Sequence, residues 1–342
     1  MKTLATLRAF ILLMLFSIQL QGQDLNFSQF YELPGLRNPA LAGIIKGDFR
    51  AVAIHRSQWQ QMIGQYQTSG LGLETKSSVR EYSDDYYSFG LIVTNDEAGD
   101  ASFGKTQFLP SFTFHKFLRE EGNLYLSAGF SGGAVQQRFD PSKLRFDDQF
   151  VNGSYSSTNA TRQAFTNTNI TYFDATAGIA LGGELGYRYR FYIGAAYSHF
   201  HQPKVAFFPS GDVRLNKKIT ISGGLSAAVS DYSELYSYFD FFTQGGTNMV
   251  QGGFLFTHNL LEEVEDPTYR ISIGSFYRWG DAIIPVIKLD YTKLSFGFTY
   301  DVNISNLSAA SRYRGGAEVS VSYKTYLNNR KSSALKMRCP VF

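Results

Sequence analysis

The chain has 342 residues, with 32 basic and 29 acidic side chains and a formal net charge of +3. Setting aside Lys2 and Arg8 of the leading segment takes that charge from +3 to +1, so affinity built on phosphate neutralisation is excluded and nucleic acid is not an expected partner. The single cysteine, Cys339, excludes an internal disulfide, and the absence of 18 consecutive apolar residues beyond residue 22 excludes a helical membrane protein.

Residues 1–22 carry Lys2 and Arg8, then the apolar run Ala9 to Ser17, then Gly22 before Gln23. That is the arrangement of a cleaved secretory signal peptide, and a mature start near Gln23 is expected. Residues 23–47 contain Pro34, Pro39 and several glycines. This stretch is expected to be irregular, either filling a barrel as a plug or lying beneath it in the periplasm.

From Asp48 onward, segments of about ten residues alternate between apolar and polar or small positions. Tyr187, Tyr189, Phe191, Ile193, Ala195 and Tyr197 oppose Arg188, Arg190, Tyr192, Gly194, Ala196 and Ser198; a strand's period of two sends the two sets to opposite faces. The same holds for Leu294, Phe296, Phe298 and Tyr300 against Ser295, Gly297, Thr299 and Asp301, and for Ala317, Val319, Val321 and Tyr323 against Gly316, Glu318, Ser320 and Ser322. Gly, Ser and Ala dominate the polar face, which suits a crowded or water-filled lumen better than open solvent.

Strands are predicted near 48–57, 66–74, 86–95, 106–117, 122–137, 170–184, 187–199, 216–230, 232–243, 247–257, 268–279, 282–291, 293–303 and 314–324. The fold class is therefore all-β: a transmembrane antiparallel β-barrel of about 14 strands over residues 48–324. An even, closed barrel leaves no unpaired edge in lipid. Loop parity agrees, with long odd-to-even connections at 138–169, 200–215 and 304–313 and near-minimal even-to-odd turns at Leu185-Gly186, Asp231 and Thr292; the connections 75–85 and 258–267 depart from the trend. Within the longest connection, Asn152 to Asn159 reads as a mobile polar loop. Residues 325–342 form a tail with Arg330, Lys331, Lys336 and Arg338 and no acidic residue, expected in the periplasm and free either to meet an acidic partner or to be solvated.

No catalytic constellation emerges. Of five histidines, only His199 and His201 are close, and on one strand both would face one side; a rim position suits them better than a metal, since no Cys or Glu nearby completes a ligand set. There is no H-E-x-x-H, nucleophile elbow, Walker loop or CxxC. Glycine pairs at 132–133, 182–183, 223–224, 245–246, 252–253 and 315–316 read as kinks and close approaches in a curved wall. The acidic run Glu262 to Asp266, Asp84 and Asp147-Asp148 read as solvated connections, and the Tyr and Phe bands as interfacial girdles. No enzyme activity and no cofactor are expected.

The segment Asp24, Phe27 to Tyr31, Asn38 to Gly43, Arg50 and His55 to Trp59 resembles the opening of the PorP/SprF family of the type IX secretion system of Bacteroidetes. Tyr277 to Pro285 and Gly297 to Ser305 are similar to its later strands, Gly315 to Tyr323 to its last strand, and Cys339 to Phe342 to its Cys-Pro end. Residues 130–215 carry no quotable motif. The resemblance marks Phe27, Gln29, Asn38, Pro39, Gly43, Arg56, Gln58, Trp59, Asp281, Pro285, Tyr300, Asp301, Asn303, Glu318, Cys339 and Pro340 as motif or partner candidates. It implies a non-enzymatic outer-membrane component, in contact with secretion machinery and outer-membrane lipid, that helps export or anchor a large surface adhesin or other cargo bearing a C-terminal sorting domain, as in gliding motility. A porin or transporter for a small solute is the alternative.

Overall fold

A computed structural model describes residues 24–327, apart from 59–65, 81–83, 100, 120–122, 152, 157, 160, 164, 209–210, 262–266, 306–307 and 309–313. The expected signal peptide, Trp59, the acidic run Glu262 to Asp266, Cys339, Pro340 and the tail from residue 328 lie outside the described residues.

The described residues form a closed barrel of fourteen strands. In chain order the strands are β1 (Phe49–Gln58), β2 (Tyr66–Ser78), β3 (Tyr86–Ala98), β4 (Phe103–Arg119), β5 (Leu124–Arg138), β8 (Asn169–Leu185), β9 (Tyr189–Ser198), β10 (Lys218–Ser230), β11 (Ser233–Gln244), β12 (Thr247–Asn259), β13 (Tyr269–Arg278), β14 (Ala282–Tyr291), β15 (Leu294–Asn303) and β16 (Arg314–Thr325). Between β5 and β8, a short hairpin of β6 (Phe150–Val151) and β7 (Ser154–Tyr155) stands apart from the wall. Every wall strand pairs antiparallel with its neighbours, and β1 closes the ring on β16 from Phe49↔Thr325 to Gln58↔Gly316.

The alternation predicted from sequence is what closes the wall. Ile193, Phe296, Phe298 and Val319 are exposed on the outer face, while Tyr192, Ser295, Thr299, Asp301 and Glu318 are buried within. An outer face of this composition is one that hydrocarbon solvates well, and closure leaves no strand edge to satisfy.

The expected strand ends differ from the observed ones by a few residues. β2 runs on to Ser78 because Lys76, Ser77 and Ser78 continue the ladder opposite Ser88, Tyr87 and Tyr86, beyond the point where side-chain alternation stops. This shortens one connection that departs from loop parity to 79–85. The run Asn152 to Asn159 is in part ordered: β6 and β7 turn at Gly153, whose φ is +79°, and Ser156 donates its N–H to Gln149 O at 3.0 Å.

Prolines and glycines mark irregularities in the wall. The β4–β5 ladder lapses between Phe108↔Ala134 and Ser111↔Ser131, where Pro110 faces the Gly132-Gly133 pair. The β14–β15 ladder lapses between Ile283↔Val302 and Val286↔Thr299, around Pro285. Proline brings no N–H to a ladder. The pair Gly245-Gly246 is a turn rather than a kink: it links β11 to β12 with φ of +56° and +85°, the geometry of a tight hairpin.

Candidate functional site

The barrel's interior is occupied by its own N-terminal segment. Residues 24–47 run through the lumen with one helical turn, Pro34–Arg37, and one 3-10 turn, Pro39–Leu41. Phe27, Gln29, Glu32 and Ile45 are among the largest fully buried side chains of the described residues. Strands alternate direction, so each wall contact reports height in the barrel. One mouth carries the connections 99–102, 139–168, 199–217 and 304–313; the other carries the short turns 186–188, 231–232 and 292–293, residues 47–48 and the end of β16.

At the long-connection mouth, Asp24 accepts from Lys105 Nζ at 2.8 Å and lies 2.6 Å from His199 Nε2 and 3.7 Å from Lys218 Nζ. Burial works to raise the Asp24 pKa, but Lys105, Lys218 and His199 outweigh it and hold the carboxyl well below its usual range. His199 is braced from the other side by Asp174 at 2.8 Å. Burial pulls the imidazole pKa down, yet Asp174 and Asp24 together push it up to about 9.

Deeper in, Glu318 of β16 accepts the backbone N–H groups of Ser28 and Gln29 at 2.8 and 2.6 Å. Asp301 of β15 accepts from Ser28 Oγ at 2.6 Å, Arg56 at 2.7 Å and Arg278 at 3.1 Å. Arg278 also reaches Asp281 at 2.9 Å and Ser28 Oγ at 2.8 Å. Two guanidiniums and three carboxylates thus share one cluster around Ser28; Arg56, Arg278, Asp301 and Glu318 are buried, where charge-assisted bonds are strong, while Asp281 is half exposed at its edge.

The middle of the segment is apolar. Phe30 meets Phe276 edge-on at 5.3 Å, and Tyr31 stacks on Tyr238 at 5.4 Å. Glu32 then takes Lys288 at 2.5 Å, and Arg37, lying over the Phe30 ring, pairs with Asp240.

Asn38-Pro39-Ala40 is held by shape. Asn38 Nδ2 donates to the Ile179 and Ala195 carbonyls at 3.0 and 3.3 Å, while its Oδ1 caps the 3-10 turn by accepting Ala40 N–H at 2.9 Å. Three wall glycines leave the space it occupies: a Cβ at Gly178 would lie 2.0 Å from Asn38 Oδ1, one at Gly194 2.6 Å from its Nδ2, and one at Gly129 2.5 Å from Ala40 N. Thr113 donates to Pro39 O at 2.7 Å. Gly43, with φ of +82°, turns the chain so that its N–H reaches Glu74 at 3.1 Å, and Glu74 also holds Arg50 at 2.8 Å.

The structure places the sequence candidates unevenly. Gln29, Arg56, Asp281, Asp301 and Glu318 belong to the cluster around Ser28. Phe27 is buried with Leu33, Val52 and Ile54, and Asn38, Pro39 and Gly43 form the glycine-facing half of the plug. Gln58 ends β1 opposite Gly316, and Asn303 caps the following loop by accepting Ser305 N–H at 2.8 Å. Pro285 and Tyr300 are not brought to the lumen; the strand register places them opposite one another on the outer wall.

His199 and His201 do not share a strand face, because β9 ends at Ser198 and His199 sits in a turn at φ +56°. His201 bonds Phe173 O instead, at 2.8 Å. Sequence reasoning missed Arg278, Lys288, Asp240, Lys105 and Asp174. Their signal was available: each is a charged residue at a lumen-facing position of an alternating strand. Among the described residues no group of three or more His, Cys, Asp or Glu is arranged to hold a metal ion. The arrangement holds a polypeptide segment through main-chain contacts, paired charges and short side-chain bonds such as Ser320 Oγ to Gln29 Oε1 at 2.6 Å.

A closed antiparallel wall, apolar outside and polar within, defines a membrane β-barrel, here one with an occupied lumen. Residues 19–323 match the family described as type IX secretion system membrane protein PorP/SprF, and the chain belongs to that family. Membership implies partners in the secretion machinery. No curated protein matches the sequence. Among solved structures, the chain is similar to the CymD monoaromatic hydrocarbon channel (10% identity, TM-score 0.49, covering 90% of this chain and 95% of that one). It is also similar to a Pseudomonas aeruginosa FadL homologue (10%, 0.47, 86% and 94%) and to the translocator domain of the autotransporter NalP from Neisseria meningitidis (13%, 0.43, 86% and 95%). At that distance the likeness says nothing of what passes or binds.

Proposed function

We propose that this protein is an outer-membrane component of the type IX secretion system that helps export, or holds at the surface, a large adhesin or other cargo bearing a C-terminal sorting domain. It acts by recognition and catalyses no reaction. The observation that carries this reading is the filled lumen: residues 24–47 bind the wall over the whole height of the barrel, which suits a rigid platform better than a conduit. In this reading the short-turn mouth and the basic tail face the periplasm and the secretion machinery, and the long connections face outward toward cargo. Signal-peptide removal near Gln23 belongs to the same reading.

Purification from native membranes followed by mass spectrometry tests it. A large surface protein with a sorting domain, accompanied by secretion components, is the expected company. A wide, steady conductance in planar bilayers with no such company would overturn the proposal in favour of a solute channel.

A further inference from the structure

We propose that the leading end of the plug is a latch, set by the connection 199–217, through which displacement of that connection is passed to the lumen segment. The inference goes beyond the proposed function and does not depend on which cargo is served.

Four wall groups hold Asp24. Its carboxylate takes Lys105, His199 and Lys218, and its backbone N–H donates to Gln244 Oε1 at 3.1 Å. All four lie within two residues of a strand end at the same mouth: β4 starts at Phe103, β9 ends at Ser198, β10 starts at Lys218 and β11 ends at Gln244. His199 and Lys218 bracket the connection 199–217, so any movement of that stretch moves two of the three cations that fix Asp24.

The two arms of the connection are tied to each other: Val205 donates its N–H to Val213 O at 2.8 Å and Leu215 to Pro203 O at 3.0 Å. His199 and Gln202 both stand at positive φ, +56° and +49°, although neither is glycine. A non-glycine residue in the left-handed region is costly and persists only where its surroundings impose it. At His199 those surroundings are Asp174, Asp24 and the bond from its N–H to Ala175 O at 3.0 Å. Farther along, Phe208 and Val213 are more than half exposed, a handle at the mouth itself.

There is also room to move. A pocket beside the latch is lined by Leu25, Leu36, Gln107, Leu109, Thr220 and Phe242. The next anchor below Asp24 is Asn26, whose carbonyl accepts from Arg56 and whose Nδ2 donates to Gln251 Oε1 at 3.2 Å, so release frees residues 24–25 while the rest of the plug stays seated. The latch therefore changes the mouth without emptying the lumen.

The test places a single thiol at position 25, as Leu25→Cys in a Cys339→Ser background, and follows its reaction with a membrane-impermeant maleimide on intact cells. Lys105→Met with Lys218→Met, and separately His199→Ala, are expected to raise the labelling rate about tenfold or more by favouring local opening, with the heat-modifiable migration of the folded barrel unchanged. His201→Ala, on the same connection but bonded to Phe173 O, should leave the rate at the parent value. Transmission is tested with the latch intact: an epitope inserted after Gly211 and bound by an antibody fragment should raise labelling severalfold. Unchanged labelling in the latch variants or on antibody binding overturns the inference, whereas labelling only after permeabilisation overturns the outward placement of the long connections in the proposed function, on which the assay rests.

Discussion

The two sides of the lumen hold one short segment by different physics. Along β1, β13, β15 and β16 the wall offers charges: Arg56, Arg278, Asp301 and Glu318 close on Ser28 and Gln29. Along β5, β8 and β9 it offers absence: Gly129, Gly178 and Gly194 leave the space that Asn38 to Ala40 occupies. The charged side should tolerate small changes of shape and fail when a partner is removed. The glycine side should behave in the opposite way.

The largest effect should come from Glu318→Leu, which leaves the buried backbone N–H groups of Ser28 and Gln29 without their carboxylate. A buried donor left unsatisfied costs about 1–3 kcal/mol, so the two together should cost about 2–6 kcal/mol, read as a lower unfolding midpoint in detergent. A midpoint equal to wild type would show that the charged side is dispensable. Gly178→Ala should cost less, about 1–3 kcal/mol, because the new Cβ displaces Asn38; limited proteolysis should then cut within residues 34–43. No change there would mean that the fit at the notch is loose.

The mouth should respond to pH. His199 has a folded pKa of about 9, above its ordinary 6.5, so its contribution is complete below about 6.5 and is lost as pH rises through about 9. Asp24, Asp174, Lys105 and Lys218 are the charged groups that face it. Hydrogen exchange of residues 24–27, corrected for intrinsic rate, should show weaker protection at pH 10 than at pH 7, and the reverse trend would sink this assignment. The smallest change is expected from the joint replacement Arg37→Met with Asp240→Leu. It exchanges a buried ion pair for apolar volume and should leave the midpoint within about 1 kcal/mol of wild type. A large loss would give this pair a role beyond packing.

The wall was legible in the sequence because a barrel imposes a two-residue period on every strand. Ile193, Phe298 and Val319 therefore point outward where the alternation says, and the secretion family follows from motifs near both ends of the chain. The seating of the plug was much less legible. Nothing local in Ser28 or Asn38 announces a partner some 140 to 290 residues away. Pro285 and Tyr300 belong to the family-like motif yet face outward, since a motif records which residues occur together and not which way they point. His199 misled because one left-handed residue ends the strand there and cancels the alternation. Arg278, Lys288 and Asp240 were readable in principle, as charges on the lumen parity that lipid-facing parity would not tolerate.

The bond between Ser28 and Glu318 spans 290 positions of the chain. The lumen segment is thus completed by the last strand of the ring in chain order, and β1 waits on the same partner. During folding the segment that fills the barrel has no finished wall to bind until β16 is in place. Contacts of such range are slow to form, and the exposed apolar strands invite aggregation meanwhile. A late closure of the ring on β16, with the lumen segment seating only then, is the expected order of folding.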